Sequence, residues 1–186
     1  SWVTFLFCVQ SETEELRNLE LVLKYIEKYF KTNILIYEIG MTKLIPTHFH
    51  SKKVKICFFQ NNGIHKSKYI KRMVSETDSA VISLWNPIFL VSPKQIIESA
   101  NEVFQGNADY SYPFGGKLYK TNRQLLEVII ENNIELNVIA QNERMLQAEK
   151  EFFPEIILID TIVYKNSGLE NENIKTPVMV GGATTS

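Results

Sequence analysis

Polar residues follow the ends of four short apolar runs, and they are this chain's clearest candidates for ligand chemistry. They are Gln10, Ser11 and Glu12 after the first run, then Glu38 to Gly40, Gln60 to Asn62, and Asn86. Ligands of α/β proteins bind at the carboxyl ends of parallel strands, so these strand ends predict one binding edge. Two of the candidates have structural alternatives. Asn86 precedes Pro87 and is also typical of a turn, and Glu38 also suits a solvated strand end.

Basic residues recur in a helix candidate at 63–76. They are Lys66, Lys68, Lys71 and Arg72. Such a cluster could bind phosphate, or it could be the solvated face of an ordinary helix.

His48 and His50 form an HxH pair in a polar loop, but no carboxylate partner is identifiable in the sequence. We therefore predict no metal site there.

Length and composition limit the classes of function. The chain has 186 residues, of which 45% are hydrophobic and 22% charged, enough for one domain with a sizeable core. A formal net charge of −1 offers no electrostatic argument for binding nucleic acid or a membrane surface. No apolar run approaches the roughly 20 residues that span a bilayer. Cys8 and Cys57 lack metal or CxxC spacing, so we predict reduced, buried and inert thiols in a cytoplasmic protein.

Apolar runs that alternate with helical periods must position these candidates. Strands are predicted near 3–9, 34–38, 54–59 and 80–85, and helices between most of them, which indicates an α/β fold with a mostly parallel central sheet flanked by helices. Ser11 or Thr13 is predicted to cap the first helix. A later helix is predicted to begin with Ser92 as its cap and Pro93 at its first position, and to end near Gly106. Further along, helices are predicted at 122–133 and 135–153, and a strand at 155–164.

The order of these motifs resembles the nucleotide-binding half of the GT-A glycosyltransferases, closest to the family-two-like and galactosyltransferase-like members of bacterial polysaccharide clusters. The resemblance rests on "VTFLFCVQSETEELRNLELVLKYI", "ILIYEIG" and "AVISLWNPIFLVSPKQIIESANEVFQGNADYSYPFGG", and "VGGA" at 180–183 extends it. It implies a Rossmann-like, GT-A-like fold and a nucleotide-diphosphate sugar, foremost a UDP-sugar, as the ligand. It also implies hexosyl transfer in polysaccharide biosynthesis as the activity, and Mn²⁺ or Mg²⁺ as the family's cofactor.

The resemblance also implies roles for individual residues. Gln10, Ser11 and Glu12 would lie against the nucleotide, and Glu38, followed by Gly40, would contact the base or ribose. Lys66, Lys71 or Arg72 would lie near the diphosphate, with Asn86 at the metal motif. Gly181 and Gly182 would lie where sugar and acceptor meet.

The chain departs from the family at that metal motif. Two carboxylates of an Asp-x-Asp sequence hold the divalent cation in the family, whereas this chain has Asn86-Pro87-Ile88. We therefore predict no metal site at 86–88. The family's catalytic base is expected beyond "GGA", so residues 1–186 are interpreted as a single GT-A-like domain whose C-terminal acceptor half is missing or truncated.

Two functions remain open. The first is the nucleotide-sugar-binding domain of a sugar transferase. The second is a non-catalytic GT-A-like binding or partner module that has lost its metal site. Asn86 and Ile88 favour the second, whereas Glu38 and the basic helix favour the first, at least for nucleotide binding. A longer reading frame with an acidic residue some tens of positions after "GGA" would favour the enzyme.

Overall fold

The computed structural model describes residues 1–61, 66–115, 118–119, 122–132, 145–146, 155–167 and 178–179. Its strands are β1 (Val3–Gln10), β2 (Asn33–Gly40), β3 (Val54–Gln60), β4 (Val81–Trp85), β5 (Tyr110–Tyr112), β6 (Leu118–Tyr119), β7 (Met145–Leu146), β8 (Ile156–Asp160) and β9 (Val178–Met179). Its helices are α1 (Thr13–Tyr29), α2 (Lys66–Ser75), α3 (Pro93–Phe104), α4 (Arg123–Asn132) and α5 (Thr161–Ser167).

The described strands form a central sheet of seven, in the order β3-β2-β1-β4-β8-β5-β9, and a separate pair, β6-β7. The first four strands are mutually parallel. β8 is antiparallel to both of its neighbours, β4 and β5, whereas β9 is parallel to β5. The prediction of an α/β fold with a mostly parallel sheet is confirmed, as are its first four strands.

Helices cover both faces of this sheet. On one face, α1 and α3 pack over alternate β1 residues such as Phe5 and Phe7. On the other face, α2 and α5 pack over Leu6, Leu35 and Ile82. A strand buried on both faces favours apolar residues at successive positions, which is why β1 is continuously apolar from Phe5 to Val9 rather than alternating.

The connection from β2 to β3, residues 41–53, crosses the sheet without an α-helix. It contains a short 3-10 turn, Thr47–Phe49, as its regular element. Its apolar residues Leu44, Ile45 and Phe49 border a groove beside α1. This connection matters for the site because it leaves the sheet at the edge where β1 and β2 end.

The third helix forms as predicted. The Ser92 hydroxyl caps α3 by accepting a hydrogen bond from the Gln95 backbone N–H, and Pro93 occupies the first turn. At the other end, Gly106 has a φ of +76°. Its N–H donates to the Val103 carbonyl, and the Asn107 N–H donates to the Glu102 carbonyl. These are the two bonds of a Schellman motif, which requires the left-handed backbone that glycine adopts readily.

Three predictions about these elements are wrong in whole or in part. Neither Ser11 nor Thr13 caps α1, because Glu12 occupies that position and makes no side-chain cap. The strand predicted at 155–164 ends at Asp160, whose carboxylate accepts hydrogen bonds from two backbone N–H groups of α5 and so begins a helix. Within the helix predicted at 135–153, residues 145–146 form β7 instead, and the remainder lies outside the described residues.

No helix in the described part of the chain is long and apolar enough to cross a membrane.

Candidate functional site

Glu38, at the end of β2, orders the start of the 41–53 connection. Its side chain is fully buried. Oε1 accepts hydrogen bonds from the backbone N–H groups of Leu44 and Ile45, at 2.5 and 3.1 Å, and from the Ser11 hydroxyl at 3.1 Å. Oε2 is buried without a hydrogen-bond partner. The carboxylate therefore joins the ends of β1 and β2 to the loop that follows, and it does not face solvent.

Gly40 allows these two strand ends to approach each other. A Cβ atom at Gly40 would lie 2.5 Å from the Cβ of Ser11, and closer still to its hydroxyl. The Ser11 N–H also donates to the Ile39 carbonyl at 2.9 Å. Gly40 is thus required by close packing, which is a structural reason for a glycine at a predicted ligand-binding position.

A cavity of about 210 Å³ lies at the carboxyl ends of β1 and β4, under α2. We call it the switch-point cavity, because the strand order reverses between β1 and β4. Open α/β sheets bind their ligands at such a point. Its lining is apolar inside and polar at Lys66, Asn86 and Glu155. The lining residues are Leu6, Cys8, Lys66, Ile70, Met73, Leu84, Trp85, Asn86, Glu155 and Ile157.

Lys66 is the first residue of α2 and supplies the cation that lines the cavity. Its ammonium lies 3.8 Å from the Glu15 carboxylate, and its side chain is about 43% exposed. The other oxygen of Glu15 accepts a hydrogen bond from the Gln10 N–H at 2.8 Å. Glu15 therefore links the end of β1 to Lys66, and this half-exposed ion pair can open for an anionic ligand.

Cys8 and Cys57 are free and half-buried. The Cys8 thiol lines the switch-point cavity. Burial raises the pKa of Cys8 to about 11, although the nearby Lys66 ammonium opposes this change. The thiol is therefore protonated at neutral pH, and it contributes to the wall of the cavity rather than to nucleophilic chemistry.

Asn86 organises the turn after β4 through both ends of its amide. Oδ1 accepts a hydrogen bond from the Ile88 N–H at 3.1 Å. Nδ2 donates to the Glu155 carboxylate at 2.6 Å, and the Asn86 N–H donates to the Glu155 carbonyl at 2.8 Å. Asn86 therefore occupies a turn, which is one of the two roles that the sequence allowed for it. Ile88 is 66% exposed.

The structure brings only some of the sequence-predicted site residues together. Lys66 and Asn86 line one cavity, and Gln10 reaches it through Glu15. Ser11, Glu38 and Gly40 form a separate cluster at the adjacent strand ends. Binding roles for all of these residues remain predictions.

Other sequence-predicted residues lie elsewhere. Glu12 and Lys71 are exposed and do not line the cavity. The Arg72 guanidinium lies 4.9 Å from the centre of the Phe59 ring and bonds to Glu76, so it is held at the β3 side of α2. Gly181 and Gly182 lie outside the described residues.

The two histidines of the HxH pair lie in the 41–53 connection. His48 packs its ring against Phe49 with centroids 4.5 Å apart. Among the described residues, no group of three or more His, Cys, Asp and Glu side chains is arranged to hold a metal ion.

Glu15 and Glu155 are the site residues that the sequence did not single out. Glu155 is the first residue of the strand predicted at 155–164, but the direction of that strand was not predictable. Because β8 is antiparallel to β4, its first residues lie at the edge where β1 and β4 end. Nothing in the sequence distinguished Glu15 as a site residue, because glutamates are common in the first turn of helices, where they interact favourably with the helix dipole.

Comparison with known proteins shows the fold and no family. No protein-family model matches the chain, and no curated protein matches it. Among solved structures it is similar to the bifunctional IspDF from Campylobacter jejuni, with a TM-score of 0.51 and 12% sequence identity. The match covers 98% of this chain and 50% of that chain, so this chain spans about half the length of its neighbour. At this identity the likeness shows the α/β fold alone.

The identification of the chain as a GT-A glycosyltransferase is wrong. The chain is structurally similar to IspDF, and neither family models nor curated proteins support the glycosyltransferase family. The motifs that suggested it have local explanations in this fold. Glu38 holds the loop that follows β2, Gly40 permits close packing against Ser11, and Asn86 forms a turn with Ile88. Alternating strands and helices with polar strand ends are common to many α/β folds, so their order does not identify one family.

Proposed function

We propose that the protein binds a nucleotide at the carboxyl edge of its sheet, with the base or sugar ring in the switch-point cavity and a phosphate at Lys66. The observation that carries this proposal is the position of the cavity. It lies between the ends of β1 and β4, where the strand order reverses, and a lysine is part of its lining.

The cavity's lining suits a ring with polar substituents. Leu6, Met73 and Ile157 supply apolar contacts, while the Glu155 carboxylate can accept hydrogen bonds from base N–H groups or ribose hydroxyls. Its volume of about 210 Å³ is below the ~300–1,000 Å³ typical of sites for drug-sized ligands. One ring therefore fits inside, and the phosphate remains at the mouth.

The charges around Lys66 support weak binding. Glu15 already pairs with this ammonium, and Glu155 adds a second carboxylate to the same region. A phosphate must replace the Glu15 contact in a partly solvated position, where ion pairs contribute little. We expect a Kd of about 1 mM, equivalent to about −4 kcal/mol, and an affinity that falls as ionic strength rises.

Titration with UDP and GDP, followed by backbone amide chemical shifts, tests the proposal. The expected shifts lie around the cavity, at Cys8, Ile70 and Ile157. Lys66→Ala should weaken binding by up to about fivefold, a loss of no more than ~1 kcal/mol, because the contact is partly solvated. Lys68→Ala is the matched control, because this exposed lysine of the same helix does not line the cavity. Shifts confined to another surface, or no shift at millimolar ligand, would remove nucleotide binding from consideration.

A nucleotide sugar is the second candidate ligand, and Glu155 is the observation that favours it. A carboxylate at the wall of a small cavity can accept hydrogen bonds from the hydroxyl groups of a hexose. The same titration with UDP-galactose distinguishes the two ligands. A clearly higher affinity for UDP-galactose than for UDP, lost in Glu155→Gln, would support a nucleotide sugar, whereas equal affinities would restrict recognition to the nucleotide.

A further inference from the structure

The near-neutral total charge conceals a strong asymmetry along the chain. No Asp or Glu occurs between Glu38 and Glu76, yet that stretch contains eight of the 20 Lys and Arg residues. All 21 acidic residues lie outside it. The stretch therefore carries a formal charge of about +8 and the remainder about −9, a separation that predicts electrostatic recognition even though the total is −1.

The fold gathers this acid-free stretch around one edge of the sheet. β3 is the terminal strand of the seven-stranded order. Lys52 and Lys53 lie in the turn that leads into β3, and Lys43 lies in the loop after its neighbour β2. On α2, Arg72 stacks on Phe59 of β3, and Lys68 lies one helical turn before Arg72 on the same stripe. We call Lys43, Lys52, Lys53 and Lys68 the basic edge.

The lysines of the basic edge are available to a partner. All four are exposed, and none forms an ion pair with another described residue. Two further cations nearby, Lys55 and Arg72, are engaged by Glu76. Four exposed lysines with no ion-pair partner among the described residues leave this side of the sheet positively charged, which favours contact with an anionic surface.

We propose that the basic edge docks the protein onto an anionic lipid surface. Its cations are lysines, which act as hydrated point charges and suit a diffuse negative surface rather than the planar, bidentate recognition that arginine provides. Next to Lys43, the side chains of Met41 and Leu44 are 58% and 45% exposed. Exposed apolar groups beside lysines favour insertion at a membrane interface, where apolar burial adds to electrostatic attraction.

Nucleic acid is the other polyanion that a basic surface could contact, and the aromatic residues disfavour it. Single-stranded nucleic acid is bound by stacking bases on exposed rings. Within the described part of the acid-free stretch, Phe49, Phe58 and Phe59 are half-buried and Tyr69 is buried. Phe59 already packs against Tyr37 and Tyr69, with centroids 4.6 and 5.1 Å apart.

Co-sedimentation with vesicles tests the proposal. The protein should bind phosphatidylglycerol vesicles, should not bind pure phosphatidylcholine vesicles, and should be released by added salt. The charge-reversed variant Lys52→Glu/Lys53→Glu/Lys68→Glu should bind about a hundredfold more weakly, since each lysine near an anionic membrane contributes about fivefold. Met41→Ser should weaken vesicle binding a few-fold without altering net charge.

A matched variant controls for the change in total charge. Lys24→Glu/Lys31→Glu/Lys94→Glu makes the same change at exposed lysines outside the acid-free stretch, and it should bind vesicles like the natural chain. Equal losses in both triple variants, or no binding to anionic vesicles, would overturn the proposal. Tighter binding to duplex DNA or single-stranded RNA than to vesicles would replace the lipid surface with nucleic acid. Lys66 is unchanged throughout, so nucleotide binding is tested separately.

Discussion

At the scale of single residues, Asn86 is the clearest case of a polar strand end used for structure. Its amide donates to Glu155 at 2.6 Å and accepts from the Ile88 N–H at 3.1 Å. An aspartate could keep the turn, because its oxygen can accept the same N–H. It could not keep the contact with Glu155, because two ionised carboxylates repel each other.

Asn86→Asp should therefore destabilise the protein at neutral pH by about 1 kcal/mol, a modest value because the pair is exposed. In the folded variant, repulsion raises the pKa of one carboxyl group above its unfolded value. The loss should therefore be absent at roughly pH 3 and below, where both groups are protonated in either state. Urea unfolding of the variant and the natural chain at neutral and at acidic pH measures this loss. Adding Glu155→Gln to the Asn86→Asp variant should restore stability at neutral pH. An equal loss at both pH values would show that repulsion is not the cause.

Gly40 carries a second residue-scale prediction. Gly40→Ala introduces a Cβ 2.5 Å from the Cβ of Ser11, too close for either backbone to remain in place. We expect a loss of about 1–3 kcal/mol in the free energy of unfolding, as for other overpacked sites. Ser11→Gly removes the opposing side chain. Gly40→Ala should therefore cost less free energy of unfolding in the Ser11→Gly background than in the natural chain. Additive effects of the two substitutions would contradict a direct clash.

At the scale of secondary-structure elements, Glu76 joins β2, β3 and α2. Its carboxylate accepts hydrogen bonds from the Tyr37 hydroxyl at 2.7 Å, Lys55 at 3.0 Å and Arg72 at 3.3 Å. The Tyr37 hydroxyl, and then Lys55, hold the pKa of Glu76 below its ordinary value. Burial, followed by the Glu76 contact, raises the pKa of Tyr37.

Glu76→Gln should reduce the free energy of unfolding by about 1 kcal/mol at neutral pH. Because the pKa of Glu76 is lower in the folded state, its stabilisation is complete above the unfolded pKa of about 4.3 and disappears as pH falls through the folded value. The difference between variant and natural chain should therefore begin to shrink as pH falls through about 4.3 and close only below the folded pKa of Glu76. Glu20→Gln, which removes the exposed pair with Lys24, is the control and should change stability by less than about 0.5 kcal/mol.

At the scale of the whole molecule, the nucleotide proposal predicts independence from divalent metal. At 86–88 the chain presents an amide whose oxygen already accepts the Ile88 N–H, then proline and an exposed isoleucine. Nucleotide affinity measured calorimetrically with and without Mn²⁺ should therefore differ by less than about tenfold, or ~1.4 kcal/mol. A larger increase would show that carboxylates elsewhere in the chain complete a metal site.

The sequence by itself determined the elements whose signals are local. Continuous apolar runs predicted the first four strands, and Ser92, Pro93 and Gly106 predicted both ends of α3. Apolar periodicity and capping act within one or two helical turns, so they can be recognised without knowing the fold. The strand predicted beyond Asp160 failed at a capping aspartate, a local signal that competed with the β-branched residues after it.

Only the tertiary structure decided which side chains meet. The antiparallel direction of β8 brings Glu155 to Asn86 across 69 residues of sequence. The β2–β3 connection brings the backbone N–H groups of Leu44 and Ile45 to the Glu38 carboxylate. The tertiary structure also placed the four lysines of the basic edge around one side of the sheet, which net charge could not reveal. Strand order and direction depend on contacts between distant segments, and no local pattern of residue types encodes them.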